Sequence, residues 1–154
     1  MSKDILKVGE IAPDFSLKDQ NGGDFKLSSF LGKKNIVLFF YPKDGTSVCT
    51  KEACAFRDAY DVFIKSGAEI VGVSSDGFKA HKKFIEDHSL PFILLSDEKN
   101  EVRKLYGAQT VFGLVPARVT YVIDKEGVIK MAFSAIMESK KHTDEALRVI
   151  ETLG

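Results

Sequence analysis

The two cysteines of the chain, Cys49 and Cys54, are the side chains best suited to chemistry. They lie five positions apart, after the turn-forming segment 41–46, which follows an apolar, strand-like run and opens a helix-like one. Free N–H groups and the helix dipole favour a thiolate in the first turn of a helix, where Cys49 falls. Thr46, three residues earlier, is able to cap this helix or to direct its hydroxyl towards the thiol. The segment is therefore a candidate site for thiol chemistry.

The five-residue spacing separates the two thiols. On an α-helix it places the two Cα atoms roughly 8–9 Å apart on different faces, beyond the approximately 7 Å limit for a disulfide. Cys49 heads the apolar stripe of the helix and points inward, whereas Cys54 shares the side of Arg57, Asp58 and Asp61 and lies nearer solvent. If the two thiols bond, the start of the helix must unwind.

Other roles for the cysteines remain open at this stage. A free cysteine is often a simple packing residue. A zinc site would draw on the cysteines and on His81, His88 and His142, but the sequence has no C-x-x-C or H-x-x-x-H spacing. The spacing also excludes a C-x-x-C dithiol oxidoreductase. A Cys–His hydrolase needs a histidine near Cys49, and all three histidines are expected on solvated faces.

The composition limits the domain organisation and the partners. The 154 residues predict a single domain, 1–154, with the 44% hydrophobic and 29% charged residues of a globular protein. The 22 basic residues balance the 22 acidic ones without a block of like charge, so neither nucleic acid nor a membrane is an expected partner. The first residues lack the apolar core of a secretory signal, which predicts a cytoplasmic protein. In that compartment a cysteine pair is more often catalytic or metal-binding than structural.

Strand-like and helix-like segments alternate along the chain. Alternating polarity around Asn21-Gly22-Gly23 predicts a β-hairpin, and the apolar run 35–41 predicts a strand buried on both faces. The pattern predicts an α/β fold, with a central mixed sheet flanked by helices and an N-terminal β-hairpin, in an order similar to that of a thioredoxin-like core. The further predicted segments are helix 48–66, strand 68–74, helix 78–88, strand 91–95, helix 98–106, hairpin strands 119–123 and 128–133, and helix 141–153.

Three segments resemble the peroxiredoxins, and specifically the peroxiredoxin Q subfamily, also called bacterioferritin comigratory proteins. Segment 41–58 is similar to the active-site segment of that family, since it contains P-x-x-x-T-x-x-C and a second cysteine in C-x-x-x-x-C spacing. Segments 9–17 and 118–127 are similar to the family's N-terminal segment and arginine-bearing strand, so the likeness covers about residues 8–134. Ser47-Val48 replaces the Pro-Gly that is frequent in the subfamily, and we expect this to change loop stiffness rather than chemistry.

The resemblance implies a role for each of five residues. Cys49 is the expected peroxidatic cysteine and Cys54 the expected resolving cysteine. Thr46 is expected to hold the peroxide, Pro42 to shield the sulfur from water, and Arg118 to stabilise the thiolate and orient the substrate. The implied protein is a thiol-dependent peroxidase for hydrogen peroxide and alkyl hydroperoxides, recycled by thioredoxin or a similar dithiol protein, with no cofactor and no metal. A monomer, or at most a weak dimer, is expected.

The chemistry of the residues agrees with these roles but leaves other roles and other functions open. Arginine is always charged and presents paired donors, which suits stabilisation of a thiolate by Arg118, although a surface arginine is the simpler interpretation without the motif. Glu52 is placed either to cap the helix start or to pair with an arginine. A regulatory redox sensor would use the same Cys49–Cys54 disulfide without rapid turnover. A structural module would hold unreactive thiols.

Overall fold

The helices and strands follow one another in the order that the sequence predicts. The computed structural model describes residues 5–109, 117–135 and 137–153. A 3₁₀ turn, Leu27–Phe30, follows the first hairpin. The strands are β1 (Ser16–Asp19), β2 (Asp24–Lys26), β3 (Asn35–Phe40), β4 (Ala68–Ser74), β5 (Ile93–Ser96), β6 (Val119–Ile123) and β7 (Ile129–Ser134), and the helices are α1 (Ser47–Asp58), α2 (Tyr60–Lys65), α3 (Phe78–His88), α4 (Glu101–Leu105) and α5 (Ser139–Thr152).

The strands form one mixed sheet in the order β2-β1-β5-β4-β3-β6-β7. β4 pairs in parallel with β3 and β5, whereas β6 is antiparallel to β3 and each hairpin is antiparallel within itself. The two hairpins, β1–β2 and β6–β7, form the two edges of the sheet. The predicted α/β fold with a central mixed sheet and an N-terminal hairpin is confirmed.

The central strand β3 is buried along its whole length, as its apolar run predicts. Because side chains alternate between the faces of a strand, Val37 and Phe39 enter one core cluster and Leu38 and Phe40 the other. The cluster of Val37 and Phe39 also contains Cys49 and residues of α1, α2, α3 and α5. The first turn of α1 is thus packed against the sheet.

The predicted helix 48–66 is divided into α1 and α2 at Ala59. The backbone of Ala59 has φ −98° and ψ 2°, outside the α-helical region, so the helix ends and restarts there. Both cysteines lie in α1, before the break. Within the described ranges, no helix has the length and apolarity that crossing a bilayer requires.

Candidate active site

The sheet topology brings the loop after β3 and the residue before β6 to one place. Phe40 at the end of β3 pairs with Val119 at the start of β6. The loop 41–46 therefore leaves the sheet beside Arg118, and α1 begins directly after that loop. Antiparallel pairing of two strands that are distant in sequence thus places an arginine against the first turn of α1.

Cys49, the third residue of α1, has 1% of its surface exposed. The guanidinium of Arg118, which is also buried, donates from Nη2 to Cys49 Sγ at 3.2 Å. A charged donor at this distance and the N–H groups of the first helical turn are able to stabilise negative charge on the sulfur. Arg118 is therefore part of the site and is not a surface arginine.

Glu52 lies on the other side of the Arg118 guanidinium. Nη1 of Arg118 donates to Glu52 Oε1 at 2.7 Å, and the Glu52 side chain is fully buried. Burial raises the pKa of Glu52 to about 7, although the charge of Arg118 and its hydrogen bond act in the opposite direction. Of the two roles that the sequence offers for Glu52, the structure contains the pairing with an arginine.

His142 of α5 lies beyond Glu52, with Nδ1 3.5 Å from Glu52 Oε2. Its Nε2 lies 2.7 Å from the carbonyl oxygen of Ala135, and its Nδ1 lies 2.7 Å from the hydroxyl of Thr120. Since a carbonyl only accepts, Nε2 carries the ring proton and Nδ1 accepts from Thr120. Burial lowers the pKa of His142 to about 4, so the ring is neutral near neutral pH.

The expectation that the three histidines lie on solvated faces is wrong for His81 and His142. Both are fully buried, and both nitrogens of each ring have partners. The sequence contained a signal for one of them, because His142, Ala146 and Ile150 recur at four-residue spacing and are all buried in α5. Such a repeat indicates the inward face of a helix.

The loop 41–46 is attached to the rest of the protein through Asp44. Its carboxylate accepts the hydroxyl of Tyr41 at 2.5 Å and contacts Nδ1 of His81 at 2.6 Å, and its N–H donates to Asp76 Oδ2 at 2.8 Å. Among the described residues, Asp44, Asp76 and His81 are the group with ligand atoms close enough for a metal ion, within 4.8 Å of one another. Hydrogen bonds already occupy these atoms, so the group holds the loop.

Arg103 of α4 is a residue near the site that the sequence analysis missed. It is buried, and its guanidinium donates to the carbonyl oxygens of Ala117 at 2.7 Å and Tyr41 at 2.5 Å. Burial lowers the pKa of Arg103 to about 10. The side chain thereby joins the residue before Arg118 to the start of the loop 41–46. The short helix around Arg103 has no apolar periodicity that marks this arginine as buried.

Thr46 and Pro42 lie on the loop that leads to Cys49, and their expected roles stay predictions. Thr46 precedes α1 and is exposed. Its hydroxyl donates to the carbonyl oxygen of Lys43 at 2.8 Å and makes no capping hydrogen bond to the helix. Pro42 is half-buried. A hydroxyl can rotate between partners, so the local bond of Thr46 leaves it available to a substrate.

Cys54 is half-buried beside a groove of about 540 Å³ between α1 and α5. Both thiols are free, and both belong to the same uninterrupted helix. Their Cα atoms are therefore held roughly 8–9 Å apart, as helical geometry requires. The burial of Cys49 and the greater exposure of Cys54 agree with the faces that the sequence predicts for them. The groove is lined by Lys51, Cys54, Ala55, Asp58, Ala59, Ser139, Lys140, Thr143 and Asp144.

Comparison with known proteins identifies the family. The sequence model of the AhpC/TSA family matches residues 8–132. The chain belongs to the AhpC/TSA family. Among its relatives in that family, chloroplastic peroxiredoxin Q of Sedum lineare is 49% identical over 94% of this chain and 78% of its own length. Chloroplastic peroxiredoxin Q of Arabidopsis thaliana is 49% identical over 95% of this chain and 68% of its own length.

A solved peroxidoxin structure confirms the thioredoxin-like fold. Peroxidoxin BcpB of Mycobacterium tuberculosis superposes with a TM-score of 0.89 at 35% identity, covering 97% of this chain and 99% of that one. The expected membership of the peroxiredoxins and the expected thiol peroxidase activity are confirmed by these relatives.

The expected cytoplasmic location is wrong according to the same comparisons. The similar peroxiredoxin Q proteins of several plants are named as chloroplastic, not as cytoplasmic. The reason for the error is that the expectation rested on a secretory signal, which reports on secretion alone, whereas other cellular addresses are read by receptors from other signals.

Replacing Glu52 by glutamine is expected to change how stability depends on pH. The folded pKa of Glu52, about 7, lies above its ordinary 4.5, so the stability that its protonated form contributes is fully present below pH 4.5 and is lost as the pH rises to 7. The loss amounts to about 3 kcal/mol. Glutamine does not ionise. The difference between the free energies of unfolding of the parent and of Glu52→Gln should therefore fall by this amount as the pH rises from 4.5 to about 7. Urea denaturation across this pH range measures the difference in stability. A difference that stays constant with pH would contradict the prediction.

Proposed function

We propose that this thiol peroxidase reduces hydrogen peroxide and organic hydroperoxides through the thiolate of Cys49. The hydrogen bond of 3.2 Å from Arg118 to Cys49 Sγ carries the proposal, because it joins a buried cation to a thiol in the first turn of a helix. A thiolate is the form of cysteine that acts as a nucleophile. The burial of this thiol also limits its reaction with larger electrophiles.

In the proposed first step, Cys49 Sγ attacks one oxygen of the peroxide. An S–O bond forms, the O–O bond breaks, and the leaving oxygen takes up a proton and departs as water or an alcohol, which leaves a sulfenic acid on Cys49. Arg118 stabilises the negative charge that develops on the leaving oxygen. We propose that Thr46 holds the peroxide and that Pro42 keeps water from the sulfur.

In the proposed second step, the thiol of Cys54 condenses with the sulfenic acid. An S–S bond forms and water leaves. Because an intact helix holds the two residues roughly 8–9 Å apart, the turn of α1 between them must open. A dithiol protein, thioredoxin in our proposal, then restores both thiols by exchange. We propose that the protein does this as a monomer.

Titration of the reduced protein with peroxide tests this cycle. One equivalent of hydrogen peroxide should consume both thiols of the chain and lower the intact mass by about two hydrogens. The reason is that the only cysteines, Cys49 and Cys54, form one bond within the chain. Free-thiol counting and intact mass spectrometry make the measurement. Loss of both thiols with a doubled mass would instead indicate a bond between chains.

The variant Cys54→Ser is the matched control. It should lose one thiol and gain one oxygen, because the sulfenic acid has no partner within the chain. Steady-state turnover with a thioredoxin system should be rapid in the parent and lost in Cys54→Ser. A parent that forms the disulfide but does not turn over would favour a redox sensor over a peroxidase.

A further inference from the structure

Glu52 is a buried acid in the part of α1 that the catalytic cycle must open. It lies three residues after Cys49 and two before Cys54, and its side chain is fully buried. Acidic side chains are almost never fully buried unless they are paired. The titratable groups that face Glu52 are Cys49 on its own helix, Arg118 before β6 and His142 on α5.

Only one of the two carboxyl oxygens of Glu52 is paired. Oε1 accepts from Arg118, whereas Oε2 has no hydrogen-bond partner among the described residues. Oε2 faces Nδ1 of His142, whose lone pair already accepts from Thr120. An ionised Glu52 would therefore place a negative oxygen against a lone pair, away from water, which is costly. A proton on Oε2 removes the conflict, because it takes the negative charge away from this contact.

The charges around Arg118 also favour a neutral Glu52 in the reduced protein. Arg118 contacts two acids, Cys49 at 3.2 Å and Glu52 at 2.7 Å. Ionisation of Cys49 alone matches the charge of this cation, and an ionised Glu52 would have to share the one guanidinium that it contacts with the thiolate. The pKa of Glu52, which burial raises to about 7, agrees with this geometry. Opening of α1 moves the carboxyl into water, where glutamic acid has a pKa near 4.3.

We propose that Glu52 stores a proton in the reduced protein and releases it when α1 opens to form the Cys49–Cys54 disulfide. The inference rests on the proposed function. The thiolate of Cys49, the thiol of Cys54, the acid of Glu52 and a hydroperoxide give the disulfide, an alcohol, water and ionised Glu52. Two electrons pass from the sulfurs to the peroxide. The proton of Glu52 balances the one that the thiolate reaction consumes, so the solvent supplies none.

Proton exchange with the solvent during oxidation tests the inference. Reduced parent and Glu52→Gln are oxidised with one equivalent of hydrogen peroxide at about pH 6, in weak buffer with an indicator dye. At this pH Glu52 is protonated while it is buried and ionised once it is released. The parent should take up about one proton fewer per disulfide than Glu52→Gln. Glu151→Gln, which changes an exposed glutamate of α5, should behave as the parent does.

The outcomes separate this inference from the proposed function. A disulfide that forms with equal proton uptake in the parent and Glu52→Gln overturns the inference alone. A parent that forms no disulfide overturns the proposed function and the inference with it. If Glu52→Gln does not fold, the infrared spectrum of the parent decides. The carbonyl band of a protonated buried carboxyl should be present in the reduced protein and disappear on oxidation, and its absence from the reduced protein overturns the inference.

Discussion

Replacing Cys49 by serine is expected to abolish peroxide consumption. A serine hydroxyl does not ionise near neutral pH and cannot pass through a sulfenic acid, so neither the nucleophile nor the oxidised intermediate is available. We expect the rate of peroxide loss with an excess of dithiol reductant to fall by more than about 10³-fold, as is usual when a catalytic nucleophile is removed. Stopped-flow or electrode measurement of peroxide gives this rate directly.

The fold should survive this substitution, which makes the test clear. Serine is close to cysteine in size, and its hydroxyl can accept the hydrogen bond that Arg118 now donates to Sγ. The unfolding midpoint of Cys49→Ser should therefore stay near that of the parent. Cys54→Ser serves as the matched variant, because it should still reduce one equivalent of peroxide. A Cys49→Ser protein that keeps the parental rate would show that the chemistry lies elsewhere.

Most of the architecture could be predicted because its determinants are local. β3 is recognisable from an unbroken apolar run, and α3 and β6 have the predicted limits, since period and turn residues fix them. The break at Ala59 could not be predicted. The segment around it keeps its apolar spacing, and the change is one of backbone angles.

The pair of Cys49 and Arg118 could be anticipated only through the family resemblance. They are 69 residues apart, and their contact depends on the antiparallel pairing of β3 with β6. Spacing along one helix says nothing about a partner from another strand. The roles of Arg103 and His142 depend in the same way on which face of each helix meets the sheet. Their partners are mostly backbone carbonyls, which carry no signal in the sequence.

The hydrogen-bond partners of short polar side chains also could not be predicted from the sequence. Thr46 has the right position for a helix cap, yet its hydroxyl donates to the carbonyl of Lys43. The two bonds have similar energies, and the conformation of the loop decides between them. The loop conformation depends in turn on Asp44 and its contacts with His81 and Asp76, which come from distant segments.

Replacing Arg118 by methionine is expected to lower the rate of Cys49 oxidation by about 10²–10³-fold, the usual loss when a charged donor to a developing anion is removed. Methionine has a similar length but no charge, so the thiolate and the leaving oxygen both lose their cation. The rate constant of Arg118→Lys should lie between those of the parent and Arg118→Met. A lysine keeps the charge but cannot span Cys49 Sγ and Glu52 with paired donors. The second-order rate constant with hydrogen peroxide, followed by loss of the free thiol, is the measurement.

A double variant separates catalysis from stability at Arg118. At about pH 8, above the pKa of about 7 that Glu52 has beside Arg118, Arg118→Met removes the buried partner of an ionised Glu52, and breaking a buried ion pair in this way costs about 3–5 kcal/mol. Adding Glu52→Gln removes the uncompensated carboxylate, so Arg118→Met/Glu52→Gln should regain much of the stability. Its rate constant should remain low, because the cation at Cys49 is still absent. If the second substitution restored the rate as well, loss of folding rather than loss of the guanidinium would account for the defect, and Arg118 would have no direct role in activating the thiol.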